Sequence, residues 1–326
     1  MKPNKMLYLS RSDIEAIGLS MDEIIALVEQ SMVEKGEGMT ELPPKPRLYP
    51  KSQKGSFNSL PCIFQRLNLV GFKWQAGFPT NQALGLPHTI GLIVINDIDT
   101  GYPIGIMDST WIVSRRTAAA SAVATKYLAR KDSTRLAILG CGVQGRTHAE
   151  AILKVNPLIK EIKAYDINPE YLRKYVKEIS ERFGVQCTPA MNPQEAISDA
   201  EIIITASRII RNAEGTIEDR WLKEGVFASP IDYDSYWKKE ALITFNKIYT
   251  DDIQTLLEHK KYGFFLNLPD SIAELADVVA RKKPGRENMK EKIMFMNIGI
   301  SLSDIIVADK MYKSAIERKI GVELNY

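Results

Sequence analysis

Gly140, Cys141, Gly142 and Gly145 spell G-x-G-x-x-G within the stretch RLAILGCGVQGRTHAEA, residues 135–151. An apolar run precedes the glycines and a helix-forming run follows, so they stand where a strand would turn into a helix. Each glycine then has its own task. Gly140 allows the tight turn, Gly142 lets backbone amides approach a pyrophosphate, and Gly145 lets the helix pack on the strand. Val143 and Gln144 would open that helix, whose N-terminal amides and dipole favour phosphate. About 20 residues on, the strand EIKAYD ends in Asp166, placed to accept hydrogen bonds from ribose hydroxyls. The constellation predicts a bound dinucleotide, against a plain glycine-rich turn or one that serves flavin or another nucleotide. NAD is expected, because Asp166 would repel a 2′-phosphate and Ile167 and Asn168 bring no cation. Arg146 could compensate, so NADP stays open.

Three cations in the first part of the chain could hold an anionic substrate: Arg47 in PKPRLYP, Lys73 in VGFKWQAGFP and Arg116 in VSRRTAAASA. Arginine's planar fork suits a carboxylate. The sequence places Arg116 and Thr117 at the start of an alanine-rich helix, where the helix terminus would add to the attraction. Lys73 lies among apolar and aromatic residues, where burial is costly without an anionic partner. Singly, each reads as a surface or structural ion pair; together they read as a carboxylate pocket. Trp74 and Phe78 read as core before pocket wall, and His88 as a turn residue before a pocket residue. His148 reads as structural or close to the phosphates, His259 as a solvated helix end, and Cys141 as a small filler.

Composition narrows the classes. The chain has 326 residues, a net charge of +3, and 25% charged residues of both signs. That balance points away from nucleic acid, which calls for a concentrated basic patch. No apolar stretch reaches the length of a membrane span. Cys62, Cys141 and Cys187 are scattered and odd in number, without a zinc spacing, so no metal is expected and a reducing, cytoplasmic compartment is.

The elements that must carry these residues follow from patterning. LSMDEIIALVEQSM predicts the first helix, with Ser20 and Glu23 as a capping box. Residues 55–107 are strand-like, and TIGLIVIND ends at the turn DIDTGYP. From Arg135 the text alternates: strand RLAILG, helix QGRTHAEAILKV, strand EIKAYD, helix NPEYLRKYVKEISERFG, then strands VQCT, AEIIITAS, GVFASP and ALITFNKIYTD. Such alternation predicts an α/β fold with a Rossmann-type, doubly wound parallel sheet. A second, α+β domain is expected over residues 1–123, completed by 300–326 as the final helix folds back. The nucleotide domain is expected over 124–299.

The stretch from GFKWQAGFP through VSRRTAAASAVATKYLAR to AILGCGVQG resembles the ornithine cyclodeaminase/mu-crystallin family. The likeness continues through AISDAEIIITAS, WLKEGVFAS and NIGISLSDIIVADKMYKSA. It implies a homodimer joined through the first domain, and Arg47, Lys73 and Arg116 on the substrate carboxylate, with Lys73 also serving catalysis. It implies that Thr117 supports the substrate site or the cofactor, that Thr205 and Ser207 contact the cofactor, and that a catalytic aspartate follows the strand GVFASP. That acid is Asp232 or, one register on, Asp234. The activity implied is an NAD(P)-dependent dehydrogenase or imine reductase for a small amino acid or its ketimine or cyclic imine. Ornithine cyclodeaminase, a lyase that forms proline, is the alternative. Its glutamate would fall where this chain has Asn58, which cannot exchange a proton. A dinucleotide-loaded binding protein without turnover is the third.

Overall fold

A computed structural model describes residues 4–52, 54–269 and 271–325. The chain divides into two units, one formed by the residues up to Arg116 with those from Ile300 onward, the other by Thr117–Gly299.

The first unit is built on an eight-stranded mixed sheet. Its order runs Val322–Asn325, Lys5–Leu9, Pro103–Asp108, Thr89–Asn96, Leu69–Gly77, Ser56–Phe64 and Thr40–Glu41, with Arg47–Leu48 also paired to Ser56–Phe64. The four strands between Ser56 and Asp108 are antiparallel neighbours. Their side chains alternate, so Leu60, Cys62, Lys73, Ile93 and Met107 share the buried face. The helices Met21–Gly36 and Ser301–Arg318 belong to the same unit, and the latter packs on the central strands. Gly71 permits that approach: a Cβ there would stand 2.5 Å from the Val94 carbonyl and 3.0 Å from Ile305. On the opposite face Phe72, Trp74 and Leu92 are exposed, with Trp74 directly across from Leu92.

The capping box is present: Ser20 N–H donates to the Glu23 carboxylate at 2.9 Å, and Glu23 N–H donates back to Ser20 Oγ at 3.3 Å. It does not open the first helix, however. Arg11–Ile17 precedes it with a box of its own, Ser10 and Asp13, too short to show a period.

The second unit holds eight parallel strands. Their order is Gln186–Pro189, Glu161–Tyr165, Arg135–Leu139, Ile202–Thr205, Phe227–Pro230, Ile293–Met296, Lys247–Thr250 and Ala273–Glu274. The first five follow the 3-2-1-4-5 order of a doubly wound fold, which reverses direction after Arg135–Leu139. Helices Val143–Val155 and Pro169–Phe183 make the first crossovers. Pro169 opens the second of these and Gly184, at φ 64°, closes it, as proline's fixed φ and glycine's access to positive φ allow.

Three details differ from the sequence reading. The segment ALITFNKIYTD is not one strand: Lys239–Leu242 is helical and only Lys247–Thr250 is extended, with buried apolar residues in both parts and Ile243 exposed between them. The alanine-rich helix begins at Thr110, because Asp108 accepts from Thr110 N at 2.9 Å and Val113 N bonds to the Ser109 carbonyl. Arg116 and Thr117 therefore lie inside that helix, and no helix terminus reinforces Arg116. The two units part there, at 116/117 instead of 123/124. Arg116 pairs with Asp304 of the first unit, while the Thr117 carbonyl accepts from Asn297 of the second.

Among the described residues, no helix is long and apolar enough to cross a membrane, and no His/Cys/Asp/Glu group could hold a metal ion. All three cysteines are buried and free.

Candidate active site

The glycine loop leaves the strand Arg135–Leu139 at the switch point of the second sheet. Gly140 has φ 104°, and a Cβ on it would lie 2.4 Å from the Ala206 carbonyl oxygen. A Cβ on Gly145 would lie 2.1 Å from the Gly140 carbonyl oxygen. Both positions therefore exclude any side chain. Gly142 is different. It caps the helix Val143–Val155 without a side-chain bond, and a Cβ there would meet nothing within 4 Å. The helix thus opens onto free space at Gly142 and the exposed Val143, as a phosphate cradle requires.

Asp166 follows the next strand and is tied to the loop. One carboxylate oxygen accepts from Cys141 N, the other from Asn168 N, both at 2.8 Å. Arg146 bonds to Glu178 at 2.7 Å and to the carbonyls of Cys141 and Gly142. Its guanidinium is thus held by a carboxylate and two loop carbonyls. These residues fit a dinucleotide.

Asp232 lies just past the strand Phe227–Pro230, fully buried. Its Oδ1 accepts from Thr205 Oγ1 at 2.6 Å; its Oδ2 accepts from Ser207 N at 3.0 Å and Ser207 Oγ at 2.7 Å. Burial nevertheless pushes the carboxyl up to about 6, within reach of proton exchange near neutrality. Thr205 and Ser207, expected to serve the cofactor, hold this acid. Asp234 is buried beside it, raised by burial, and takes a backbone hydrogen bond from Phe265. Tyr233 between them adopts φ 61°, an uncommon value for a bulky residue. Its ring packs on Phe265 at 4.6 Å and edge-on to Phe264 and His259. His259 is therefore core, not a solvated helix end; it is fully buried, with Nδ1 2.7 Å from the Thr255 carbonyl.

A buried polar network underlies the loop. His148 Nδ1 donates to the Gln144 carbonyl at 2.8 Å, so Nε2 accepts from Ser121 Oγ at 3.1 Å. Ser121 Oγ also meets Ser229 Oγ at 2.8 Å and Asn297 Nδ2 at 2.9 Å. Burial holds the His148 imidazole down at about 4, so it is neutral and structural. Cys141 is buried and its thiol pushed well above the usual range by burial, consistent with a filler.

In the first unit Lys73 and Arg116 converge on a residue the sequence reading did not single out, Asp304. Lys73 Nζ lies 2.5 Å from Asp304 Oδ2 and Arg116 Nε 2.7 Å from Oδ1, with all three side chains buried. Burial, with the repulsion of Arg116 and Lys45, brings the Lys73 ammonium down to about 7 against the pull of Asp304. Arg116 Nη1 is buried without a hydrogen-bond partner. Arg47 pairs with Asn58 across neighbouring strands, Nε to Oδ1 at 3.2 Å, and Asn58 is buried. In the sequence Asp304 is one of two aspartates in the helical run SLSDIIVAD, and nothing local sets it apart from Asp309. His88 is exposed in a turn. Trp74 is exposed and stacks on Phe57, 5.7 Å between centroids, and Phe78 meets the same ring edge-on.

Comparison with known proteins places this geometry. The profile of the ornithine cyclodeaminase/mu-crystallin family matches residues 4–319. Alanine dehydrogenase of Archaeoglobus fulgidus is 30% identical over 98% of this chain and 98% of its own. Among solved structures, the Thermococcus litoralis Delta(1)-pyrroline-2-carboxylate reductase, in complex with NADH and L-proline, superposes with TM-score 0.87 at 31% identity, covering 97% of this chain and 99% of that one. An archaeal alanine dehydrogenase dimer with bound NAD gives TM-score 0.86 at 28% identity, covering 99% of each chain.

Proposed function

Because the chain belongs to the ornithine cyclodeaminase/mu-crystallin family, we propose that it is an NAD-dependent oxidoreductase for a small amino acid or its ketimine or cyclic imine. When bound, the dinucleotide supplies the hydride acceptor or donor, and the protein supplies binding, orientation and proton handling. Gly140, Gly142, Val143, Gln144 and Gly145 hold its phosphates and Asp166 its ribose; Thr117 supports the cofactor end. Arg47, Lys73 and Arg116 hold the substrate carboxylate. Asp232 takes or returns the proton on the substrate nitrogen or an attacking water, kept in place by Thr205 and Ser207. Asp232 is preferred to Asp234 because two strand-end hydroxyls aim its carboxyl. The first unit is the substrate-binding and dimer-forming domain and the second the nucleotide-binding domain.

The observation that carries this reading is Arg116. A buried guanidinium nitrogen without a partner is costly, and a carboxylate oxygen of an amino acid satisfies it. Asn58 speaks against ornithine cyclodeaminase, because an amide bonded to Arg47 cannot exchange protons as a carboxylate does. The exposed apolar residues Phe72, Trp74 and Leu92 support a homodimer formed through that sheet face. The three free buried cysteines support a reducing, cytoplasmic setting.

The test is a panel of small amino acids, ornithine and lysine with NAD or NADP, reading reduced cofactor and ammonia in the same sample. Cyclic imines with NADH form the reverse arm. Ammonia matched by NADH, or NADH consumed by an imine, is expected. Ammonia without NADH would make the protein a lyase. No change in any arm would leave a ligand-binding protein and end the enzymatic reading.

A further inference from the structure

Asp304 stands in the helix Ser301–Arg318 with its side chain fully buried. It contacts two cations at once, Lys73 at 2.5 Å and Arg116 at 2.7 Å, through different oxygens. Burying charge is expensive unless partners and hydrogen bonds compensate it. A purely structural ion pair would be balanced and saturated. This cluster is neither: two cations share one carboxylate, and Arg116 Nη1 donates to nothing while its Nε edge is taken by Asp304. The arrangement leaves an enclosed positive charge and one unpartnered donor, which is what an incoming carboxylate needs.

We propose that Asp304 is a positioning residue of the substrate site: it fixes Lys73 and the Nε edge of Arg116 so that Arg116 Nη1 meets the substrate carboxylate. The proposal rests on the function given above. The contact also explains why the C-terminal helix must return to the first unit: without its carboxylate, Lys73 and Arg116 would repel each other inside the sheet's buried face.

The experiment uses the full chain and the variants Asp304→Asn and Asp304→Glu. The first keeps shape and removes charge; the second keeps charge and moves it by one methylene. Pyrrole-2-carboxylate serves as the probe, a flat carboxylate that resembles a cyclic imine acid without being one. Thermal melting is followed with and without it, together with NADH binding and, for whichever substrate the wild type turns over, KM and kcat. The probe is expected to raise the wild-type melting temperature, to leave Asp304→Asn unchanged, and to act partly on Asp304→Glu. In Asp304→Asn, KM is expected to rise about tenfold or more while kcat stays within about threefold, the pattern of lost ground-state and transition-state binding together. NADH binding should persist in both variants. Stabilisation of Asp304→Asn equal to that of wild type overturns the proposal, as does a wild type that the probe does not stabilise. Loss of NADH binding in both variants overturns it too, since Asp304 would then be a folding residue only. If the wild type turns over nothing but the probe discriminates the variants as expected, the enzymatic reading fails and this assignment stands.

Discussion

Thr205 ends its strand paired with Pro230 of the neighbouring one, and its hydroxyl lies 2.6 Å from Asp232 Oδ1. The same hydroxyl accepts from Trp237 Nε1 at 3.3 Å, so its proton is directed at the carboxylate. A threonine directly after the run of three isoleucines, residues 202–204, thus sets the aim of the acid on the next loop. The hydrogen bonds from Thr205 and Ser207 lower the Asp232 carboxyl, while burial raises it further and wins, leaving it at about 6.

The first prediction concerns this pair. In the oxidative direction Asp232 acts ionised, so kcat/KM should rise as pH increases through about 6. Thr205→Val removes a hydrogen bond to the ionised form, so the rise should move to higher pH. Asp232→Asn should cut kcat by about a hundredfold or more and leave NADH binding nearly unchanged. Steady-state pH profiles and cofactor fluorescence check both; an unmoved profile in Thr205→Val would count against Asp232 as the titrating group.

The second concerns Lys73, brought down to about 7 by burial. The groups that act on it are Asp304, Arg116 and Lys45. Cys62, close to the same carboxylate, is pushed up to about 12 by burial and keeps its proton throughout. As pH rises through about 7, Lys73 loses its positive charge and the site loses attraction for an anion. KM for a carboxylate substrate should therefore increase above that pH. Lys73→Met should raise KM at pH 6 and abolish its further rise with pH, as initial-rate measurements from pH 6 to 9 would show.

The third separates fold from cofactor at the glycine loop. Gly145→Ala forces a Cβ to within 2.1 Å of a backbone oxygen, and overpacking of this kind costs about 1–3 kcal/mol or more. It should lower the melting temperature without any ligand present. Gly142→Ala meets no protein atom within 4 Å at φ −80°. It should melt like wild type yet bind NADH about tenfold more weakly, because its methyl stands where a pyrophosphate would approach. Equal NADH affinity in Gly142→Ala would move the phosphates away from this loop.

The legibility of these features was uneven. The parallel sheet was readable from RLAILG onward because its central strands are buried along their length and its first two crossovers are long helices. The short helix Arg11–Ile17 and the two-residue strands Thr40–Glu41 and Arg47–Leu48 offered no period to read. The segment around Leu242 reads as a strand because the helix Lys239–Leu242 is only four residues long and a short apolar run does not distinguish strand from helix. Arg116 was identified, yet its place in the helix depended on Asp108 capping from a preceding strand. Asp304 escaped because its meaning lies in a contact across 231 residues with Lys73, and no local pattern carries that.

The fourth prediction tests the uncovered sheet face. Trp74 and Leu92 are 40% and 41% exposed and directly paired, which is unusual for a face meant to stay in water. Trp74→Glu and Leu92→Glu should convert a dimer into a monomer in sedimentation velocity, with little effect on NADH binding. A wild type that sediments as a monomer would reject the dimer outright.

The cysteines give the molecule a built-in clock. Cys62 belongs to the first unit, Cys141 and Cys187 to the second, and all three are buried with thiols held protonated by burial. A protein proposed to move electrons for a living therefore shows oxidants and alkylating reagents no reachable thiol while folded. Labelling can proceed only when a segment opens. The rate at which each cysteine acquires a reagent would report how often its own half of the chain comes apart, and addition of NAD should slow Cys141 and Cys187 before it slows Cys62.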